Sequence, residues 1–509
     1  MVRITGLVLL LLCVGAAVEA APPSLQLRLP PPPVAVENPA PKLPVPGEAL
    51  AGALDATTTP LGLDEVLASA ERSYPLLVAA LLRRDVAEAD LLSARGGFDL
   101  NWRTRGSVVG LGYYDYLSVD SLLEQPTPLW GTTVFGGWRL GRGDIPPYYG
   151  NLETNKGGEL RAGVSVPILR NGAVDKRRAD VRKAELGRTV AEGDIGLFVL
   201  DLQRSAAYRY WDWVIAGRRL RIAQDLLTIA EVRDEAVRRR SDLGDVADID
   251  RLDNERAIAE RQERVVAAER TLEQAAIALS LFLRDEEGAP VLVSPARLPP
   301  ALPDPQEHLH PNPIERALER RPELKRIQAL RKQNQVDVQL AKNQVLPSLD
   351  LSLVGSKDVG ATVPGRTYLD EPEVVGGVLF EVPLQRRVAK GRLQAAQAAL
   401  ARLTAEEQMA RDRITADVRD ALSALHAASQ RVDLAREQLR LAVKLEEAER
   451  TRFDLGESNL LFVNLREQAT ASAALVEAEA LGSWLRAQAD FRAAIGGVSQ
   501  DDEPALRDP

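Results

Sequence analysis

The sequence predicts a mainly α protein with a small β part, organised as two internal repeats. Each repeat is expected to supply two half-apolar strands and one long antiparallel helical hairpin. Three observations predict this. Arg238 to Glu255 reads RRRSDLGDVADIDRLDNE, and Arg450 to Glu467 reads RTRFDLGESNLLFVNLRE. Asp242-Leu243-Gly244 aligns with Asp454-Leu455-Gly456, and Glu255 with Glu467, at one constant offset, so the chain carries a duplication. From Gly172 to Arg240 there is no proline; roughly 70 helical residues rising 1.5 Å each would span about 100 Å, far beyond a globular helix. Composition agrees: aromatics make up only 5% of the 509 residues, and Ala, Leu and Arg are the most frequent residues, as in long helices rather than a compact α/β enzyme.

In chain order, Met1 to Ala20 reads as a secretory signal peptide. Arg3 supplies the positive start and Leu7 to Ala17 the apolar stretch, with small residues before a cleavage point after Ala20. Cys13 is the only cysteine; Leu12 before it is larger than lipoprotein signals prefer, which argues against lipidation. Residues 21–60 form an arm dense in proline, including Pro30 to Pro33, which favours extended chain.

The first repeat covers residues 61–287. Leu63 to Ala94 is helical by pattern, with Tyr74-Pro75 opening its longer part. Phe98, Leu100 and Trp102 alternate with Asp99, Asn101 and Arg103, the mark of a strand with one apolar face. Gly110 to Gly158, rich in Gly, Pro, Tyr and Trp, reads as a long surface loop. Its Tyr113, Tyr114, Tyr116, Trp130 and Trp138 suit either a membrane-interface girdle or simple loop packing. Leu160, Ala162, Val164, Val166 and Ile168 form a second alternating strand. The long helix follows, and a return helix runs from Ala247 to about Leu283.

Residues 288–313 are a proline-rich linker. The second repeat, residues 314–497, replays the first, and 498–509 form a tail. Arg321-Pro322-Glu323-Leu324 corresponds to Tyr74-Pro75-Leu76-Leu77, and Val382-Pro383-Leu384 to Val166-Pro167-Ile168. Strands are expected around Leu349–Leu353 and Val378–Val382, then a helix from Ala389 to Asp454 and its return from Ser458 to Ile495. The loop between strands is about 35 residues shorter the second time, so it varies while the frame holds.

Four strands cannot close a membrane barrel, which takes on the order of eight or more and leaves no open edge to lipid. Strands of this kind require several chains; three give twelve. With the duplicated Leu-Gly tips, the X-Pro helix starts, Gln344-Val345-Leu346-Pro347-Ser348-Leu349 before a strand and Val166-Pro167-Ile168-Leu169 after one, the chain resembles the TolC-like outer-membrane efflux protein family. The resemblance covers about Leu61 to Gly497. It implies a homotrimer in the outer membrane of a Gram-negative bacterium, with a twelve-stranded barrel in the lipid and an α-helical periplasmic tunnel. It implies an exit duct of a tripartite efflux pump or type I secretion system. The partners would be a periplasmic adaptor (a membrane fusion protein) and an inner-membrane RND or ABC pump.

By that resemblance, Leu243, Gly244, Leu455 and Gly456 are the adaptor-docking tips. Candidate gate residues follow them. Asp250 and Asp253 lie one turn apart on one helix face, with Asp245 and Asp248 nearby, and three-fold repetition would stack them into acidic rings that attract cations. The same carboxylates equally suit a helix N-terminus. Phe462 and Leu465 stand where relatives carry gating acids, so Phe462 is expected to form an apolar constriction. Arg238, Arg239, Arg240 and Arg452 are placed to pair with the carboxylates across helices.

Other functions find little support. The formal charge of -9 speaks against a nucleic-acid surface. No Gly-rich phosphate loop follows a strand, and the three histidines form no ligand set, so neither catalysis, a cofactor nor a metal is expected. The competing reading is a periplasmic structural coiled coil; the alternating strands separate the two. An adaptor would carry one hairpin rather than two.

Overall fold

The computed structural model describes residues 59–111, 113–145, 153–242, 248–305, 311–363 and 367–497. All belong to one compact unit, Gly52–Pro509. The expected signal peptide and most of the proline-rich arm fall outside them.

Eight α-helices and six strands are described. Helices α1 (Leu63–Ser73) and α2 (Pro75–Arg95) lead through a single 3-10 turn (Gly96–Phe98) into β1 (Asn101–Val109), β2 (Tyr116–Pro126), β3 (Thr133–Gly143) and β4 (Glu159–Pro167). Then come α3 (Lys176–Asp242) and α4 (Asp248–Ser280), followed by α5 (Pro313–Arg320), α6 (Pro322–Gln344), β5 (Ser348–Asp358), β6 (Glu373–Glu381), α7 (Arg387–Asp454) and α8 (Leu460–Ala494). At 67 and 68 residues, α3 and α7 are each about 100 Å long. Among the described residues no helix is long and apolar enough to cross a membrane.

The duplication is visible in the backbone. Pro75 and Pro322 each open a helix behind an extended residue, Tyr74 at φ −70°, ψ 118° and Arg321 at φ −58°, ψ 124°. Pro is favoured there because its missing N–H has no partner in the first turn anyway. In each repeat the shorter helix and the return helix both pack on the long one: α2 and α4 on α3, and α6 and α8 on α7.

The two repeats are stitched together at three levels. Beside the sheet, the Asn171 N–H donates to Asn343 Oδ1 (2.7 Å) and Gln344 Nε2 donates to Asn171 Oδ1 (2.7 Å). Midway, Trp213, Leu279, Leu324, Val418 and Leu485 share one buried core, which removes the apolar seams of both hairpins from water. Here the Tyr208 hydroxyl donates to Asp490; burial, reinforced by that carboxylate, pushes the phenol up to about 12. Tyr210 donates to the Leu61 carbonyl (2.8 Å) and is likewise raised to about 12, first by burial and then by Asp64 and Glu65. The third level lies near the hairpin tips.

The six strands form one antiparallel sheet in chain order, β1 to β6. This corrects two expectations: the first repeat holds four strands, not two, and Gly110 to Gly158 is not one long loop. Three chains would therefore bring eighteen strands, not twelve. Glycine hid the extra hairpin. Gly136, Gly137, Gly141 and Gly143 interrupt the side-chain alternation of β3. Gly137 is required for close approach, since a Cβ there would lie 2.4 Å from the Ser121 carbonyl oxygen. The strand expected from Phe98 begins only at Asn101, because the Gly96-Gly97 pair turns and Gln125 Nε2 takes the Phe98 carbonyl (2.5 Å).

Candidate functional site at the hairpin tips

The second tip is built by its sequence. Helix α7 ends in a Schellman motif: Gly456 N–H donates to Phe453 O (3.0 Å) and Glu457 N–H to Arg452 O (2.8 Å). The motif needs a left-handed residue just past the helix, and Gly456 sits at φ +75°. Asn459 then caps α8, its Oδ1 accepting from the Phe462 N–H (3.2 Å). Ser458 Oγ donates to Glu449 Oε1 (2.5 Å), tying the turn back to α7. Leu455 is left 70% exposed at the end of the hairpin. At the first tip, Leu243, Gly244 and Asp245 lie outside the described residues.

Phe462 and Leu465 are more than half exposed, as are Leu461 and, on α4, Ile249 and Leu252. Phe462 and Leu465 are one turn apart, as are Ile249 and Leu252. The tips of one chain thus carry apolar side chains that the chain itself does not cover. Leu461, Ile249 and Leu252 were not singled out by sequence, and their apolar character beside a tip was the available signal.

Asp248 is exposed, and Asp250 and Asp253 are partly so. Asp253 lies 3.8 Å from Arg256 on its own helix, and Asp248 accepts from Ser241 Oγ (3.1 Å). Among the described residues the expected arginine pairs to Asp250 and Asp253 are not the ones found; the Arg240 side chain lies outside them. Arg238 pairs with Asp234 (2.7 Å) and reaches Glu255 (3.7 Å). Arg239 pairs with Glu235 (2.5 Å). Arg452 pairs with Glu449 (3.6 Å). Pairs one helical turn away win because the partners are already held at the right separation.

What joins the hairpins lies higher. Glu467 is eleven residues beyond Gly456, about 16 Å along a helix, and its side chain is 1% exposed. It accepts from Arg233 Nη1 (2.7 Å) on α3, Arg261 Nη2 (2.9 Å) on α4 and Arg450 Nη2 (3.4 Å) on α7. Arg233 also donates to Asn464 Oδ1 (2.6 Å) and Asn254 Oδ1 (3.2 Å), while Asn254 Nδ2 donates to Asp234 (2.9 Å). Arg261, itself 2% exposed, donates to the Leu226 carbonyl (2.8 Å). One buried carboxylate therefore ties all four long helices together. Buried charges persist only when paired and hydrogen-bonded, and the arrangement fixes the spacing of the hairpins just above the mouth. Sequence reasoning used Glu467 only as an alignment mark. The clue was polar residues (Asn254 and Arg261 on α4, Asn464 and Glu467 on α8) at seam positions of a coiled coil.

The comparisons bear on the fold. Residues 314–497 match the family described as outer membrane efflux protein. No curated protein sequence matches the chain. Among solved structures, the CmeC outer membrane channel of Campylobacter jejuni is similar at 16% identity and TM-score 0.60, covering 87% of this chain and 87% of its own. The MtrE outer membrane channel of Neisseria gonorrhoeae, solved in its open state, is similar at 19% identity and TM-score 0.59, covering 86% and 89%. The outer membrane protein VceC of Vibrio cholerae is similar at 15% identity and TM-score 0.59, covering 86% and 96%. The fold is therefore TolC-like over most of the chain.

Proposed function

We propose that this chain, with its TolC-like fold and its outer-membrane efflux protein repeat, is the outer-membrane exit duct of a tripartite efflux pump or type I secretion system. It works as a homotrimer, passively, with energy supplied by an inner-membrane RND or ABC pump through a periplasmic adaptor. One observation carries the reading: the sheet is two-faced and runs straight into helices about 100 Å long. Trp102, Val119, Leu140, Val164, Leu353 and Val378 share one face, in line with the strand register. The other face carries Arg103–Glu124, Arg161–Asp120 and Arg139–Glu159 ion pairs. An apolar outer face and a charged inner face are what a lipid-embedded, water-filled barrel needs. A periplasmic coiled coil has no use for them.

In this reading the apolar face meets outer-membrane lipid and the charged face lines the lumen. The helices extend into the periplasm and the tips dock the adaptor through Leu455, Gly456 and their counterparts Leu243 and Gly244. Phe462 narrows the mouth, and Asp250 and Asp253 supply its cation preference. The test is fractionation and reconstitution of the full chain. Heat-modifiable trimers in the outer-membrane fraction, conducting ions across a planar bilayer, are expected. A soluble periplasmic monomer without conductance rejects the reading.

A further inference from the structure

Six strands per chain, rather than four, change what an assembly of this protein must be. The β2–β3 hairpin could be wall or ornament, and three features decide. It is hydrogen-bonded on both sides, β2 to β1 over nine residue pairs and β3 to β4 over seven. It obeys the same sidedness as its neighbours. Leu117, Val119 and Leu123 of β2 and Val134, Trp138 and Leu140 of β3 fall on the face of Trp102, Leu160 and Leu353, whereas Ser118, Asp120, Glu124 and Arg139 fall on the charged face. Its polar residues on the apolar face are partnered: Ser121 Oγ accepts from Trp102 Nε1 (2.8 Å) and lies 3.0 Å from Thr104 Oγ1 of β1, Gln125 Nε2 donates to the Phe98 carbonyl (2.5 Å), and Arg142, near the far end of β3, donates to the Lys156 carbonyl (2.8 Å). A hairpin dangling in water has no reason to sort its residues this way.

The turn of the hairpin is also placed as a barrel turn. Trp130 and Gly131 have φ of +51° and +67°, and the Thr132 N–H donates to Leu129 O (3.0 Å). Together they close a tight four-residue loop between Thr127 and Thr132, where the Thr127 N–H donates to the Thr132 carbonyl (2.8 Å). It lies at the helix side of the sheet, packed on the junction between β4 and α3. A Cβ on Gly131 would meet the Asn171 carbonyl oxygen at 2.4 Å, and one on Gly172 would meet Trp130 Nε1 at 2.8 Å. Short turns on the periplasmic side are the rule for membrane barrels.

The sheet ends at β1 and β6, and neither edge can face lipid unpaired. One copy, at six strands, is too small to close. We infer that β6 of each copy pairs with β1 of the next, and that three copies close an eighteen-stranded barrel with the β2–β3 hairpin as part of its wall. The inference rests on the trimeric duct proposed above. Matching the strand ends beside the helices, Asn101 and Glu381, and keeping apolar residues on one face puts Trp102 beside Phe380 and Thr104 beside Val378 of the adjoining copy. With strands about 4.8 Å apart and tilted about 40°, twelve strands enclose a backbone cylinder about 24 Å across, and eighteen one about 36 Å across. Barrels of that larger class leave an aqueous channel. The lumen would be lined by rings of ion-paired arginines and carboxylates.

Two measurements on the full chain in outer membranes test this, in a Cys13→Ser background. The first scans single cysteines along Leu117 to Leu123 of β2, and along Leu160 to Val166 of β4 as reference, with a water-soluble maleimide. Alternating labelling on both strands is expected, with positions 118, 120 and 122 reactive and 117, 119 and 123 protected by lipid. Alternation on β4 with uniform labelling on β2 overturns the eighteen-stranded wall and leaves the duct standing. Uniform labelling on both removes the membrane reading itself. The second oxidises Thr104→Cys combined with Val378→Cys. Covalent species closing at three copies are expected, lost when either cysteine is absent. Closure at two copies means twelve strands and overturns the count.

Discussion

Glu255 and Glu467 occupy the same place in the two repeats, yet they do opposite things. Glu255 is about a third exposed and pairs loosely with Arg238 (3.7 Å) and Arg251 (3.3 Å). Glu467 is 1% exposed and holds three arginines. The difference lies in what each helix packs against. Helix α8 lies between α7 and α3, so its carboxylate is enclosed by both hairpins; α4 packs chiefly on α3, and its outer side is open. A duplicated sequence thus carries the frame, while the asymmetry of its neighbours decides which copy of a residue is buried.

The largest expected effect breaks this comparison directly. Glu467→Ala leaves Arg261 and Arg233 without their carboxylate and should cost about 3–5 kcal/mol, read as the shift in the urea midpoint of helical circular dichroism. Glu255→Ala should cost within about 1 kcal/mol. Equal shifts would show that burial does not separate the two. Next in size is Gly456→Ala. A Cβ there meets nothing within 4 Å, so the cost is conformational alone, about 1–2 kcal/mol. It should fall on the second hairpin, seen as faster hydrogen exchange at Phe453 to Ser458. Unaltered exchange would mean that the left-handed turn is not needed. The smallest effect on stability comes from Asp250→Asn with Asp253→Asn, on the exposed side of the first hairpin. The urea midpoint should stay put while cation preference in planar bilayers falls; unchanged selectivity rejects the acidic ring.

Much of the frame was legible because it repeats. Long proline-free runs, Pro75 and Pro322 at helix starts, and the Leu-Gly tips each have one strong physical reading. Strands β4 to β6 announced themselves by alternation, as at Leu160 to Val166. Strands β2 and β3 did not: in β3 glycines stand where side chains would have shown the period, and in β2 Ser121 and Leu122 break the alternation of Leu117 and Val119 with Ser118 and Asp120. The tip candidates Leu455, Phe462 and Asp250 were reached from pattern and resemblance, and the structure leaves all three accessible. The Glu467 cluster was missed for a different reason. A buried ion network is made by residues from four helices, Arg233, Arg261, Arg450 and Glu467. Nothing local to any one of them distinguishes it from the many surface charges.

The Trp130-Gly131 turn has a consequence for how such a protein changes over evolutionary time. Strand β1 leaves the helix side and β4 returns to it, and the β2–β3 hairpin travels back and forth between them. Removing it would still leave an outgoing strand beside a returning one, with the apolar face on the same side. Strands can therefore be gained or lost here only in pairs, and each pair is neutral to topology. The bore of the wall becomes a property that one duplicated or deleted hairpin can reset, without touching the helices beneath it.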